Sequence, residues 1–106
     1  MTSVNGSTPL QLASIQGYID IVHALLAAHA SVNIMNNDGD TPLLTASRKG
    51  HTVTVRALIA AGAGVNISDD RGRTPLDIAI HFNHESTTNV LIEAGATPGP
   101  EADDWD

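Results

Sequence analysis

The segment Gly39-Asp40-Thr41-Pro42-Leu43 decides the fold, because its Thr-Pro-Leu core occurs three times at one interval. The copies begin at Thr8, Thr41 and Thr74, so each follows the last by 33 residues. A fixed period of this length is the signature of a repeat architecture, in which each copy is one structural unit. Other columns that keep register are Gly6, Gly39 and Gly72, then Ala13, Ala46 and Ala79, and the pairs Leu25-Leu26, Leu58-Ile59 and Leu91-Ile92.

Each unit is predicted to be a helix, a turn and a second helix. In the first unit the Thr8 hydroxyl can cap the helix, and Pro9 then occupies the first helical position, where its missing N–H is not needed. The first helix is expected over about Thr8 to Gln16 and the second over about Tyr18 to Ala28.

The first helices are expected to end at Gly17, Gly50 and Asn83, because glycine and asparagine best tolerate a left-handed backbone. The second helices are expected to end at His29, Gly62 and Gly95. Tight turns of hairpin type are predicted at Asn5-Gly6, Asp38-Gly39 and Arg71-Gly72.

Only the first unit is predicted to have a reciprocal capping box. Gln11 follows Thr8 by three residues, the spacing at which its side chain returns a bond to the cap residue. The other units carry Leu44 and Asp77 at this position, and Asp77 is expected only to favour the positive end of its helix.

One such unit cannot bury its apolar stripe alone, whereas three stacked copies form a continuous core. Since 42% of the residues are hydrophobic but only 3% are aromatic, that core must be built from Ala, Leu, Ile and Val. A length of 106 residues favours one domain. We assign it to residues 1–97, with repeats at about 3–35, 36–68 and 69–97, followed by an acidic tail at 98–106.

The composition argues against several functional classes. Five basic and 12 acidic residues give a net charge of −7, which repels nucleic-acid phosphates. Without cysteine there is no disulfide, thiolate metal ligand or thiol nucleophile. Neither a run of about 18 apolar residues nor a signal peptide is evident, so no membrane association is expected and a cytoplasmic or nuclear location is the default.

With these columns in place, the sequence resembles the ankyrin repeat family over residues 3–97. The resemblance implies an all-α solenoid of three stacked helix-turn-helix units joined by β-hairpin-like loops. The family's histidine after Thr-Pro-Leu, which usually bonds between repeats, is replaced by Gln11, Leu44 and Asp77. The residues that carry the resemblance are Gly39-Asp40-Thr41-Pro42-Leu43, Ala46, Gly50-His51, Val55, Leu58-Ile59, Gly62-Ala63 and Val65-Asn66.

The two ends of the array differ in polarity. The second helix of the third unit opens with the polar residues 85–89, as expected for a C-terminal cap. The first unit has a single charged residue, Asp20, and is typical of an interior repeat. We therefore expect either a fragment of a longer array or self-association through this flank.

The tail, with Trp105 and four acidic residues, is a second candidate for self-association. It could also dock on the basic residues, which all lie between positions 48 and 73. A solvated tail is the simpler alternative.

The resemblance implies binding of a partner protein through the hairpin tips and the groove lined by the first helices. Two columns support the groove independently, because they vary in residue type while the core columns do not. They are Ile15, Arg48 and His81, and Gln16, Lys49 and Phe82. An exposed aliphatic or aromatic side chain beside arginine is a usual hot-spot composition. The candidate partner-binding residues are Ile15, Gln16, Met35, Asp38, Asp40, Arg48, Lys49, Arg71, Arg73, His81 and Phe82, and the tips add Val4, Asn5, Ser7, Asn37 and Asp70.

A partner segment with acidic and apolar residues would suit the four basic residues among these candidates. The first hypothesis for function is therefore a protein–protein interaction module of the adaptor or inhibitor type. The alternative is a structural segment or capping fragment of a larger ankyrin array with no partner of its own.

No enzymatic activity, cofactor or metal site is predicted. His81, His84 and Glu85 lie close in sequence, but His84 shares its column with His51, so a structural role accounts for it. No phosphate-binding loop is present. Resemblance to the family makes Asn33 and Asn66 candidate sites of asparaginyl hydroxylation; the alternative is that each holds the loop between repeats by a backbone bond.

Overall fold

The computed structural model describes residues 6–99 of the chain. Over this range the chain forms six α-helices, and none of them is long and apolar enough to cross a bilayer. Their bounds agree with the predicted helices to within one or two residues. They are α1 (Pro9–Gln16), α2 (Ile19–Ala27), α3 (Pro42–Lys49), α4 (Thr52–Ala60), α5 (Pro75–His81) and α6 (Glu85–Glu93).

The repeated threonine begins the first helix of every pair, as predicted. The hydroxyls of Thr8, Thr41 and Thr74 each accept the amide three residues on at 3.2 Å, and a proline occupies the first turn. Gln11 closes the predicted capping box, since its Oε1 accepts the Thr8 N–H at 2.8 Å.

The prediction of a single capping box is wrong. In the third unit the Asp77 Oδ2 accepts the Thr74 N–H at 3.1 Å while the Thr74 hydroxyl accepts the Asp77 N–H. The aspartate side chain is one methylene shorter than glutamine, yet it still reaches the amide of the cap residue. Two of the three first helices therefore have their orphan amides satisfied reciprocally.

The helices end at the predicted positions, and each end carries a left-handed residue. Gly17 and Gly50 cap α1 and α3 with φ near 70°, and Asn83 has φ 61° just after α5. After α4, Gly62 has φ 93° and donates to the Ile59 carbonyl at 3.0 Å. His29 (φ 65°) and Gly95 (φ 88°) take the same conformation after α2 and α6.

Equivalent helices stack in two layers and share one core. In the first layer α1 contacts α3 and α3 contacts α5; in the second layer α2 contacts α4 and α4 contacts α6. This arrangement buries the repeated apolar columns and confirms three stacked units. Core side chains include Leu10, Leu43 and Leu76, Ala13, Ala46 and Ala79, Val22 and Val55, and Leu58 and Leu91.

The loops between pairs turn tightly at the predicted glycines. The Asn36 N–H donates to the Asp40 carbonyl at 3.0 Å, and the Asp69 N–H donates to the Arg73 carbonyl at 2.9 Å. Gly39 has φ 77° within the first of these turns. Residues 6–99 contain no β-strand, so the loops are hairpin-like in their turns alone.

The outer side of the third unit is less polar than expected. Thr87 faces inward, with its Oγ1 2.9 Å from Oγ1 of Thr52, and is fully buried. Ile80 and Ile92 are exposed instead. The expectation of a polar cap therefore holds for Glu85, Ser86 and Asn89 but not for the face as a whole. The two alternatives for the tail, docking and solvation, concern its acidic residues 101–106, which lie outside the described range.

Candidate protein-binding surface

Gln11 joins the first repeat to the second. Its Nε2 donates to the carbonyls of Ile34, at 2.8 Å, and Asp40, at 2.6 Å, and the side chain is buried. In the third repeat the Asp77 carboxylate accepts the Gly99 N–H, with its nearer oxygen at 3.1 Å. The residues that replace the family's histidine thus bond from the first helix to the following loop in two of three units.

Two histidines lie across the junctions between repeats. The His51 Nε2 is 3.1 Å from the Ile15 carbonyl, and the His84 Nε2 is 2.8 Å from the Arg48 carbonyl. The structural role predicted for this column is confirmed. Within residues 6–99, no three groups of the metal-binding types come together in one place.

The two loop asparagines bond to backbone of the following repeat. Asn33 Oδ1 accepts the Gly64 N–H and Asn66 Oδ1 accepts the Thr97 N–H, both at 2.9 Å. Such bonds are expected if each asparagine holds the loop between repeats, which is the alternative to hydroxylation. Hydroxylation at Asn33 and Asn66 is not tested by them and stays a prediction.

An ionic network links the second repeat to the third along the groove. Arg48 pairs with Asp40 through two contacts, Nη1–Oδ2 at 2.9 Å and Nη2–Oδ1 at 3.1 Å. The same guanidinium lies 3.9 Å from Asp69 Oδ2 in the next repeat. Asp69 in turn accepts the Arg73 Nε at 2.8 Å. Four charges therefore form one chain of contacts across the junction.

Asp69 is the centre of that network. Its Oδ1 accepts the Arg71 N–H at 2.9 Å and the Arg73 N–H at 3.0 Å, which fixes the turn. Burial raises the pKa of Asp69, but the hydrogen bonds from the Arg73 backbone and side chain and from the Arg71 backbone together outweigh it. The pKa of Asp69 therefore lies below its ordinary value, and the carboxylate is the stable form.

The structure gathers eight of the predicted residues around one open concavity of about 530 Å³. A second concavity of about 280 Å³ adds Ser7, Ile15 and Lys49. Gln16 and Met35 are exposed but line neither of these two, and His81 packs edge-to-face on Phe82 with ring centroids 4.8 Å apart. The eight are Asn37, Asp38, Asp40, Arg48, Asp70, Arg71, Arg73 and Phe82, and Asp69 completes the lining. The predicted tip residues Val4 and Asn5 lie outside the described range.

The predicted residues divide into two groups by their contacts. Asp40 pairs directly with Arg48, Asp69 links Arg48 to Arg73, and these side chains are at most partly exposed. Ile15 and Phe82 keep exposed apolar surface on the two concavities. The second group offers surface to a partner, whereas the first gives the groove its shape.

Asp69 is not among the predicted partner-binding residues, although the residue types at its column indicate a role in the turn. Asn36 is its equivalent in the preceding loop, and Asn36 Oδ1 accepts the amides of Asp38, at 2.9 Å, and Asp40, at 3.1 Å. An asparagine or aspartate three residues before the turn glycine is the side chain expected to bond its own turn. That pattern indicates the turn bonds, but it does not indicate the arginine partners.

Comparison with known families agrees with the geometry. A family model described as ankyrin repeats, in 3 copies, matches residues 10–102, which is most of the chain. No curated protein matches the sequence well enough to be counted as a relative. The three helix pairs, the period of 33 residues and this match together show that the chain belongs to the ankyrin repeat family.

Proposed function

We propose that this chain binds a partner protein, as an adaptor or inhibitor, through the concavity beside α3 and α5. Ankyrin repeats are generally protein–protein interaction modules. The observation that supports this site is Phe82, an exposed aromatic ring at the wall of a concavity otherwise lined by charged and polar groups. An aromatic anchor with arginines nearby is a composition typical of binding hot spots.

The lining narrows the chemistry of the partner. Four carboxylates and three guanidinium groups face this concavity, and Arg48 and Arg73 are already paired with Asp40 and Asp69. A purely acidic segment would have to compete with these carboxylates. We therefore propose a partner segment that places an apolar side chain on Phe82 and carries charges of both signs on either side of it.

The test compares Phe82→Ala with Val53→Ala. Val53 is also exposed and apolar, but it lies on α4, away from both concavities. Partners are first captured from an extract of the source cells with the unmodified chain, and their affinity is then measured by calorimetry. We expect Phe82→Ala to weaken binding at least tenfold, about 1.4 kcal/mol, and Val53→Ala to leave it unchanged.

An affinity that stays within about threefold, well under 1 kcal/mol, in Phe82→Ala and in Ile15→Ala would contradict the site. That result would favour the alternative role, a structural segment of a larger array. The observation behind this alternative is the apolar surface at both ends of the stack.

A further inference from the structure

The first repeat carries exposed apolar side chains in columns that are buried elsewhere in the array. Leu12 is 46% exposed, whereas its equivalent Thr45 is 5% exposed. Ile21 is 50% exposed, whereas Thr54 is 2% exposed. In the second repeat these columns pack against the repeat before it, so in the first repeat they form the outer face, which we call the N-terminal face.

Tyr18 belongs to the same face and is 54% exposed. Its column holds His51 and His84 in the later repeats, and each histidine reaches a carbonyl of the preceding repeat. Tyrosine has a hydroxyl donor at the end of an apolar ring, so it can make the same type of contact while burying more apolar surface.

The opposite end of the stack shows a matching surface. Ile80 and Ile92 on α5 and α6 are each 54% exposed, and we call this the C-terminal face. The equivalents of Ile80 are Ser14 and Ser47, which are fully buried beneath the next repeat. The last repeat thus has a large apolar side chain at a column where the first and second repeats have serine.

We propose that a second copy of this chain covers these faces, with the C-terminal face of one copy on the N-terminal face of the next. Inside the chain the same columns already meet twice, where α1 contacts α3 and α3 contacts α5. The proposed contact continues that packing with a larger apolar area. Packing of one N-terminal face against another has no equivalent among the helix contacts of the described residues. A head-to-tail contact does not close on itself, so assembly proceeds past the dimer.

The one charged residue that we place on the C-terminal face is Glu85. It occupies the column of Thr52, whose hydroxyl meets Thr87 of the following repeat. In the proposed contact Glu85 lies beside Ile21 of the other copy, because Ile21 shares its column with Thr87. Placing a carboxylate beside an apolar side chain weakens the contact, so Glu85 limits its strength.

The experiment is sedimentation velocity of the full chain from low micromolar to near-millimolar concentration. We expect the average mass of the unmodified chain to rise with concentration beyond that of a dimer. The double variant Leu12→Thr/Ile21→Thr and the single variant Ile80→Ser are each expected to stay monomeric. All three substitutions introduce residues found at the same columns of the second repeat, and the replaced side chains are exposed, so the fold is expected to be kept.

Mixing the two variants separates head-to-tail contact from other modes. Each variant keeps one intact face, so the mixture is expected to form dimers and nothing larger. Glu85→Thr is expected to tighten the association at least threefold. The matched control is Val53→Ser, which removes a side chain 62% exposed outside both faces and should leave the association unchanged.

Three outcomes would overturn the proposal. The first is a chain that stays monomeric at every concentration, with Glu85→Thr also monomeric. The second is association that survives Ile80→Ser but not the double variant, which would indicate contact between two N-terminal faces. The third is association that Val53→Ser weakens as much as the other variants, which would indicate unspecific apolar contact.

Discussion

The junction between the first and second repeats and the junction between the second and third share their geometry but differ in chemistry. At the first junction the neutral Gln11 amide donates to the carbonyls of Ile34, at the end of the first repeat, and Asp40, in the second. At the second junction the Arg48 guanidinium faces the Asp69 carboxylate, and two threonine hydroxyls meet. The histidine column makes the same carbonyl contact at both.

This difference shows that the polar contacts do not set the stacking. The alanine and leucine columns are the same at both junctions, and their buried side chains form one core shared by the helix pairs. Once that packing is made, neutral or ionic groups can fill the remaining positions. The ionic junction lines the concavity that contains Phe82, whereas Gln11 lines the second concavity.

Gln11→Leu is expected to have the largest effect, because it breaks the first junction. Leucine is the residue at this column of the second repeat, where Leu44 is fully buried. The change keeps the packing but removes the donor to two carbonyls and the acceptor for the Thr8 amide. We expect a loss of about 2 kcal/mol in the free energy of unfolding, measured by urea denaturation followed by circular dichroism.

Gln16→Leu is the matched control for that experiment, since Gln16 lies on the same helix but is exposed. Its stability should change by no more than about 0.5 kcal/mol. Equal losses in the two variants would show that the Gln11 bonds do not hold the junction.

Asp69→Asn should weaken the second junction by a smaller amount. Asn36, at the same column of the preceding loop, makes both turn bonds through its amide oxygen, so asparagine is expected to keep the turn at position 69. The variant loses the contacts to the side chains of Arg73 and Arg48. We expect a loss of about 1 kcal/mol at neutral pH in urea denaturation.

The unmodified chain and Asp69→Asn are predicted to differ in how their stability depends on pH. Because the pKa of Asp69 is lowered in the folded state, its stabilisation is present above the ordinary aspartate value of about 4 and is lost as the pH falls through the folded value. The unmodified chain should therefore lose more stability than Asp69→Asn between neutral pH and about pH 3. Parallel stability curves for the two proteins would contradict this assignment.

Thr52→Val is expected to have an effect no larger than that of Asp69→Asn. It removes one hydroxyl of the pair at the second junction and leaves Thr87, which is fully buried, without that bond. We expect a loss of about 1 kcal/mol from Thr52→Val, and a smaller loss from the double variant Thr52→Val/Thr87→Val, because removing both groups leaves no buried hydroxyl unsatisfied. A double-mutant cycle in urea denaturation measures the coupling, and additive losses would show that the two hydroxyls do not interact.

The fold followed from the sequence because its determinants are local and repeated. The Thr-Pro-Leu segment caps a helix with its own side chain, and Gly50 ends that helix by its own backbone conformation. A period of 33 residues then places equivalent apolar columns on top of one another. None of these inferences needs a distance between side chains that lie far apart in sequence.

The sequence predicts the candidate surface only at columns whose residue type varies between repeats, because such variation indicates exposed side chains. Variation within one column indicated that Phe82 is exposed, and the structure agrees. The pairing of Arg48 with Asp40 and its approach to Asp69 depend on how two loops meet across a junction, which no spacing encodes. For the same reason the sequence does not predict that the Thr87 side chain is buried and that the Ile80 side chain is exposed.

The left-handed backbone at His29 and Asn83 has a consequence for the order in which the molecule opens. Among residues 6–99 these are the two non-glycine positions with positive φ, and one belongs to the first repeat and the other to the third. Each costs about 1 kcal/mol or somewhat more relative to glycine, whereas the equivalent helix ends of the middle repeat carry Gly50 and Gly62. In a linear array, where stability is a sum of repeat and neighbour terms, such strain makes both ends fray before the centre. The amides of α3 and α4 should therefore exchange with solvent last.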